Sequence, residues 1–263
     1  MLKSLVFGLT QLIGKPQYLL PALAGIFVNF LILFFAVDSY FNFFYNALVF
    51  GEIPNASLFE LPFYLLTTYA FDILVIVLTV FFSTSVGFYM IYVYSALMTT
   101  KQSMMKVMIG TLSRIGEIFG LTLFLMVALL LYGAILYGLI IFGFAFEGLA
   151  ILSTILILAL LLLGIFAFVK LAFTPVIMVI EKQKLKPALK KSWEWSAKKT
   201  LNILVFLFLL SVITGLTNTF FALLGEATDI EILGIVILLL GLALSSSYYN
   251  IAFIKYFLNS QTK

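Results

Sequence analysis

The 263 residues are 64% hydrophobic and only 10% charged, with a net charge of +4. A soluble domain carries about 25% charged residues, so this chain has too few polar side chains to coat a water-soluble particle and reads as an integral membrane protein. It contains neither cysteine nor histidine, which excludes disulfides and thiolate metal sites and removes the commonest general base and metal ligand.

In chain order, the opening MLKSLVFGLTQLIG places Leu2, Leu5, Val6, Leu9, Leu12 and Ile13 on one helical stripe, with Lys3, Ser4, Gly8 and Gln11 opposite. It lacks the basic cluster, short apolar core and small-residue cleavage site of a signal peptide. It is expected to lie as an amphipathic helix in the membrane interface. A first span covers roughly Tyr18 to Val37, carries Asn29 and ends at Asp38. The outer excursion from Asp38 to Leu61 holds Tyr40, Phe41, Phe43, Phe44, Tyr45, Phe50 and Phe59. A water-exposed loop would not carry so many rings, so this segment is expected on the outer leaflet or capping the bundle. Within it, Asn55-Ala56-Ser57 matches a glycosylation acceptor.

The second span runs from about Tyr64 to Met98 as one long helix, with Asp72 near its outer edge. Tyr64 and Tyr69 mark its outer interface and Tyr89, Tyr92 and Tyr94 its inner one, the depths that tyrosine prefers. A second amphipathic segment follows, with Met104, Val107, Met108, Thr111, Leu112, Ile115 and Ile118 on its stripe. The third span is Ile118 to Phe144 and the fourth Leu149 to Phe173, with Lys170 near its inner end. Lys170 is expected to snorkel along its four-carbon stem to the headgroups. Gly116 and Gly120 form a Gly-x-x-x-Gly, a pattern that lets helices approach closely.

The segment KLKPALKKSWEWSAKK (residues 184–199) is the only strongly charged stretch. As a helix starting after Pro187, it sets Ala188, Leu189, Ser192, Trp193 and Ser196 against Lys190, Lys191, Glu194 and Lys198. Glu194 and Lys198 are spaced for an i,i+4 pair. Trp193 is expected to pack into the bundle and Trp195 to sit at the interface. The fifth span is Leu201 to Leu223 and the sixth Ile232 to Phe253. The sixth carries Ser245, Ser246, Ser247 and Asn250, with Gly241 and Ser245 as another small-residue pair.

The basic side chains orient the chain. With the N-terminus inside, Lys3, Lys15, Lys101, Lys106, Arg114, Lys182, Lys184, Lys186, Lys190, Lys191, Lys198, Lys199, Lys255 and Lys263 fall on inner segments. Outer segments carry Asp38, Glu52, Glu60, Glu147, Glu226, Asp229 and Glu231 instead. This is the positive-inside pattern. It predicts an all-α, six-span protein of the cell membrane with both termini cytoplasmic and amphipathic interfacial helices on that side. Each amphipathic segment precedes an odd-numbered span. The single membrane domain, 1–263, can therefore be written as three repeated units, 1–100, 101–183 and 184–263.

The stretch FAFVKLAFTPVIMVIEKQKLKPALKKSWEWSAKKTLNILVFLFLL resembles a broad group of six-span prokaryotic membrane proteins. The group includes the membrane domain attached to some bacterial glycerophosphodiester phosphodiesterases and stand-alone archaeal proteins. Pro175, Glu181, Ala188, Leu189, Ser192, Trp193 and Lys199 carry the resemblance, with a short strand-like piece before the basic helix. The chain opening, LVFGLTQLIGKPQYLLPALAG, is similar to the start of the same group. The resemblance implies a membrane fold. It implies no enzymatic activity, because the phosphodiesterase of the fused proteins is a separate soluble barrel.

Two functional readings follow. In the first, the chain is a non-enzymatic scaffold, lipid-organising element or accessory subunit. Lys186, Lys190, Lys191, Trp193, Trp195, Lys198 and Lys199 then contact anionic headgroups or dock a protein partner. In the second, Asp72, Lys170, Asn29, Ser246 and Asn250 form an intramembrane polar site of a transporter or channel for a small or lipid-like solute. Neither reading involves a metal, a cofactor or nucleic acid.

Overall fold

The computed structural model describes residues 1–49, 60–228 and 230–261. Among these there are α-helices and no strand. The helices are α1 (Leu2–Gly14), α2 (Leu19–Phe41), α3 (Leu61–Thr68), α4 (Ala70–Thr99), α5 (Met104–Leu112), α6 (Ile115–Ala145), α7 (Ala150–Leu171), α8 (Thr174–Ile180), α9 (Leu185–Ser196), α10 (Thr200–Glu226) and α11 (Glu231–Gln261). Six helical runs are long and apolar enough to cross a bilayer: Pro16–Tyr45, Ala70–Thr99, Ile115–Ala145, Ala150–Ile180, Thr200–Glu226 and Glu231–Gln261. The protein is thus a multi-pass membrane protein. Its spans are helical because the bilayer core offers the backbone no other hydrogen-bond partners. Each span has 27 to 31 residues, more than the roughly 20 that bridge the hydrocarbon layer.

Several boundaries differ from expectation. The second span is not one helix. It breaks at Tyr69, which is buried and meets Phe43 edge-on at 5.9 Å. Beyond Phe41 the first span continues as a π-helical stretch, Asn42–Val49, in which Phe41 stacks on Tyr45 and Tyr40 on Phe44. Phe50, Glu52, Phe59, the Asn55-Ala56-Ser57 acceptor, Asp229 and Lys263 lie outside the described residues. The piece around Val176, expected as strand-like, is the short helix α8, and five of its residues are buried. Pro175 stands in its first turn, where a missing N–H breaks no helical bond.

The chain packs as two compact units. One comprises Met1–Val28, Val86–Leu121 and Ala167–Lys263, the other Asn29–Ser85 and Thr122–Phe166. In the second unit, α6 and α7 pair antiparallel. Tyr132 donates to the Leu160 carbonyl at 2.9 Å and lies over Gly164, while Ser153 donates to the Leu139 carbonyl at 2.6 Å beside Gly143. Ser85 donates to the Thr122 hydroxyl at 3.0 Å. Hydroxyls used this way bond helix to helix where water is absent.

The first unit is built on the α10–α11 hairpin. Gly225 faces Gly234, Gly241 lies against Phe221, and Ser245 donates to Asn218 Oδ1. The Gly241/Ser245 pair is therefore a true close approach. The Gly116/Gly120 pair is not, since a Cβ at either position would meet open space. Tyr92 and Tyr94, expected at the lipid interface, turn into the protein and are fully buried. Tyr94 Oη contacts both the Tyr18 carbonyl at 2.6 Å and Ser247 Oγ at 2.7 Å.

Helix α1 was expected only at the membrane interface, and it is also packed against the protein. Its buried side is Ser4, Leu5, Gly8 and Leu12, so half of the predicted polar face is the packed face. A Cβ on Gly8 would sit 3.1 Å from the Tyr248 ring and 3.2 Å from Ala252. Asn259 Nδ2 donates to Ser4 Oγ at 3.2 Å. Helix α1 thus runs antiparallel along α11, and small residues allow the contact. Leu2, Val6, Leu9 and Ile13 remain exposed. A Gly8→Leu variant should lose about 1–3 kcal/mol through overpacking, read as a lower thermal midpoint of the protein in detergent.

Candidate functional site

Helix α9 begins at Leu185, two residues before Pro187, and Lys184 is its N-cap. Proline is tolerated in a first turn, whose N–H groups lack helical acceptors. The face turned to the protein is Ala188, Ser192 and Ser196, all buried. Ser192 Oγ donates to the Lys170 carbonyl at 2.7 Å, and Ser196 approaches the same oxygen at 3.4 Å. That carbonyl lies in the last turn of α7, where helical donors run out. The serines of α9 therefore cap α7. Ser192→Ala should cost about 1–3 kcal/mol, because it strands a buried acceptor. The measurement is the unfolding midpoint, and Ser192→Thr should restore part of the loss.

The two tryptophans exchange the expected roles. Trp193 is 44% exposed. Trp195 packs against Phe173 at 5.0 Å and Phe257 at 5.0 Å. Phe173 is fully buried and is the hub of this cluster, stacked on Phe253 at 4.4 Å with Tyr256 and Phe257 alongside. Trp195 Nε1 is buried with no acceptor among the described residues. Lys170 is buried as well, and its Nζ lies 5.7 Å from the Trp193 ring centroid. It is held beneath α9 by a cation–π contact and does not reach outward as snorkelling would require.

The lysines divide into two groups. Lys191 is tied to Glu181 at 2.5 Å, and Lys199 donates to the Ser260 carbonyl at 2.9 Å while lying over the Trp195 ring. These two pin α9 and the start of α10 to the rest of the unit. Lys186, Lys190 and Lys198 are exposed. Lys190 pairs with Glu194 at 3.8 Å, both largely in the open, in place of the expected Glu194–Lys198 pair.

Two residues whose contacts the sequence does not disclose organise this end. Glu181 accepts from Lys191, from Gln183 at 3.1 Å and from Gln261 at 2.9 Å, joining the end of α8 to α9 and α11. The next residue, Lys182, holds φ at +52°, a left-handed turn that costs an L-residue about 1–2 kcal/mol. Arg114, the single arginine of the chain, pairs with Glu117 at 2.6 Å, donates to the Met178 carbonyl at 3.0 Å and lies over the Tyr92 ring. It thereby satisfies a carbonyl near the C-terminus of α8. The visible signal for Arg114 was its rarity as the one arginine of the chain.

Of the polar residues assigned to an intramembrane site, Asp72 and Asn250 have contacts or positions local to their own helices. Asp72 stands in the first turn of α4, where the helix dipole favours a carboxylate; only the break at Tyr69 creates that position. Asn250 is buried and donates to the Ser246 carbonyl of its own helix at 2.9 Å. Asn29 keeps a buried Oδ1 with no donor among the described residues.

A groove of about 520 Å³ runs along α1 and is bounded by α10 and α11. Its walls are mostly aliphatic, with Thr217, Ser245 and Tyr248 among them. No protein family, curated protein or solved structure matches this chain.

Proposed function

We propose that the chain is a non-enzymatic scaffold, lipid-organising element or accessory subunit of the cell membrane, with both termini cytoplasmic. The observation that carries this reading is the mounting of α9. One face is fixed by Ser192, Ser196 and the Glu181–Lys191 pair, while Lys186, Lys190 and Lys198 point away from the protein. A rigidly held cationic ridge at the ends of the spans suits anionic lipid headgroups, at on the order of 1 kcal/mol per charge. Docking of an acidic protein segment on the ridge is the alternative use of the same charges.

The test uses the purified protein in vesicles of phosphatidylcholine and phosphatidylglycerol, with spin-labelled lipids reporting which headgroup is held at the protein. The wild type should select phosphatidylglycerol several-fold. The variant K186Q/K190Q/K198Q should lose most of that selection, and equal selection by both proteins would reject the proposal. Because the chain has no cysteine, orientation is read from single introduced thiols. Lys3→Cys, Lys101→Cys and Lys186→Cys should react with an impermeant maleimide from one side, and Glu60→Cys from the other.

A further inference from the structure

We propose that the groove beside α1 seats the hydrocarbon tail of a bilayer lipid. Val6, Leu9 and Ile13 form one wall, and Ile213 of α10 and Leu244 of α11 form the other. Ile213 and Leu244 lie near the middle of their helices, which are membrane spans. Helix α1 therefore leans into the spanning region, and the groove opens at the depth of lipid tails. The opening is continuous with Leu2, Val6, Leu9 and Ile13 on α1 and Leu216 on α10, all exposed apolar surface on a protein whose surroundings at this depth are lipid.

The groove chemistry selects a hydrocarbon. Thr217, Ser245 and Tyr248 are its polar members, and two of the hydroxyls are already used: Thr217 donates to the Ile213 carbonyl at 2.9 Å and Ser245 to Asn218 at 2.5 Å. A polar solute would lose its hydration there for at most the Tyr248 phenol in return. The volume falls within the roughly 300–1,000 Å³ of ordinary ligand sites. A second copy of the chain is the other candidate occupant. Seating one would need a helix ridge to enter beside α1, whereas a single flexible tail follows the groove without rearrangement. The inference rests on the lipid-organising reading and extends it from headgroups to tails.

The full chain is reconstituted in vesicles of phosphatidylcholine carrying a small fraction of the same lipid with a photoreactive diazirine in one tail. Adducts should concentrate several-fold on Leu9, Ile13, Ile213 and Leu244 relative to Leu129 and Leu162, although these two controls are more exposed than Ile213 and Leu244. Even labelling across all of these residues would overturn the proposal, as would a dimer with the groove unlabelled. Leu9→Trp and, from the other wall, Ile213→Trp should each reduce groove adducts about tenfold in protein that elutes normally; undiminished adducts count against it. The variant K186Q/K190Q/K198Q should leave the adduct pattern unchanged. Loss of anionic selection in that variant is thus read separately from tail binding.

Discussion

Truncating Phe173 to alanine should destabilise the protein by about 3–5 kcal/mol, the largest single-residue effect expected. Phe173 is fully buried at the junction of α7 and α8, and rings from α9 and α11 surround it. The surrounding rings cannot collapse into the void, because Tyr256 is itself stacked on Phe206 at 4.1 Å and Tyr249 on Phe253 at 5.8 Å. Phe173→Leu keeps much of the volume and should cost less than about 1.5 kcal/mol. Thermal unfolding in detergent compares the two. Equal midpoints would show that the ring cluster contributes little. Anionic-lipid selection should fall with Phe173→Ala and not with Phe173→Leu, since Trp195 fixes α9 through this cluster.

The second large effect is expected in the α10–α11 hairpin. A Cβ on Gly241 would stand 2.3 Å from the Cβ of Phe221, an atom that cannot swing away without moving its backbone. Gly241→Val should cost at least the 1–3 kcal/mol typical of overpacking, and its β-branched side chain adds a smaller helix penalty. Gly215→Ala in the same hairpin is the control. Nothing lies within 4 Å of that position, and alanine favours a helix over glycine by about 1 kcal/mol. The control should be neutral or stabilising. If both variants unfold alike, the close approach is not what holds the hairpin.

The contrast between the two small-residue pairs shows what the sequence could and could not disclose. The six spans were legible because about 20 apolar residues in a row have one physical explanation, but their ends were not, since the first helical run continues past Asp38 to Tyr45 and the sixth past Lys255 to Gln261. The Gly116 and Gly241 patterns look alike as text, and only the facing residue separates them. The apolar stripe of α1 was expected on the lipid boundary, and beside a lipid phase Val6, Leu9 and Ile13 lose nothing by staying outside the protein; what was not legible is that close packing also uses Ser4 and Gly8. Tyr92 and Tyr94, expected at the interface, lie inward, and the two tryptophans of α9 exchange places. In α9 the basic side was placed correctly. The joining roles of Glu181 and Arg114 were not legible because the partners that matter, Gln261 and the Met178 carbonyl, are distant in the chain.

The seat of α1 has a consequence for synthesis. Its buried face is closed by α11, through pairs such as Ser4 with Asn259. A ribosome delivers α1 well before α11. Helix α1 must wait at the membrane without this cover until α11 is inserted, and a nascent chain stalled before residue 248 leaves it without that partner.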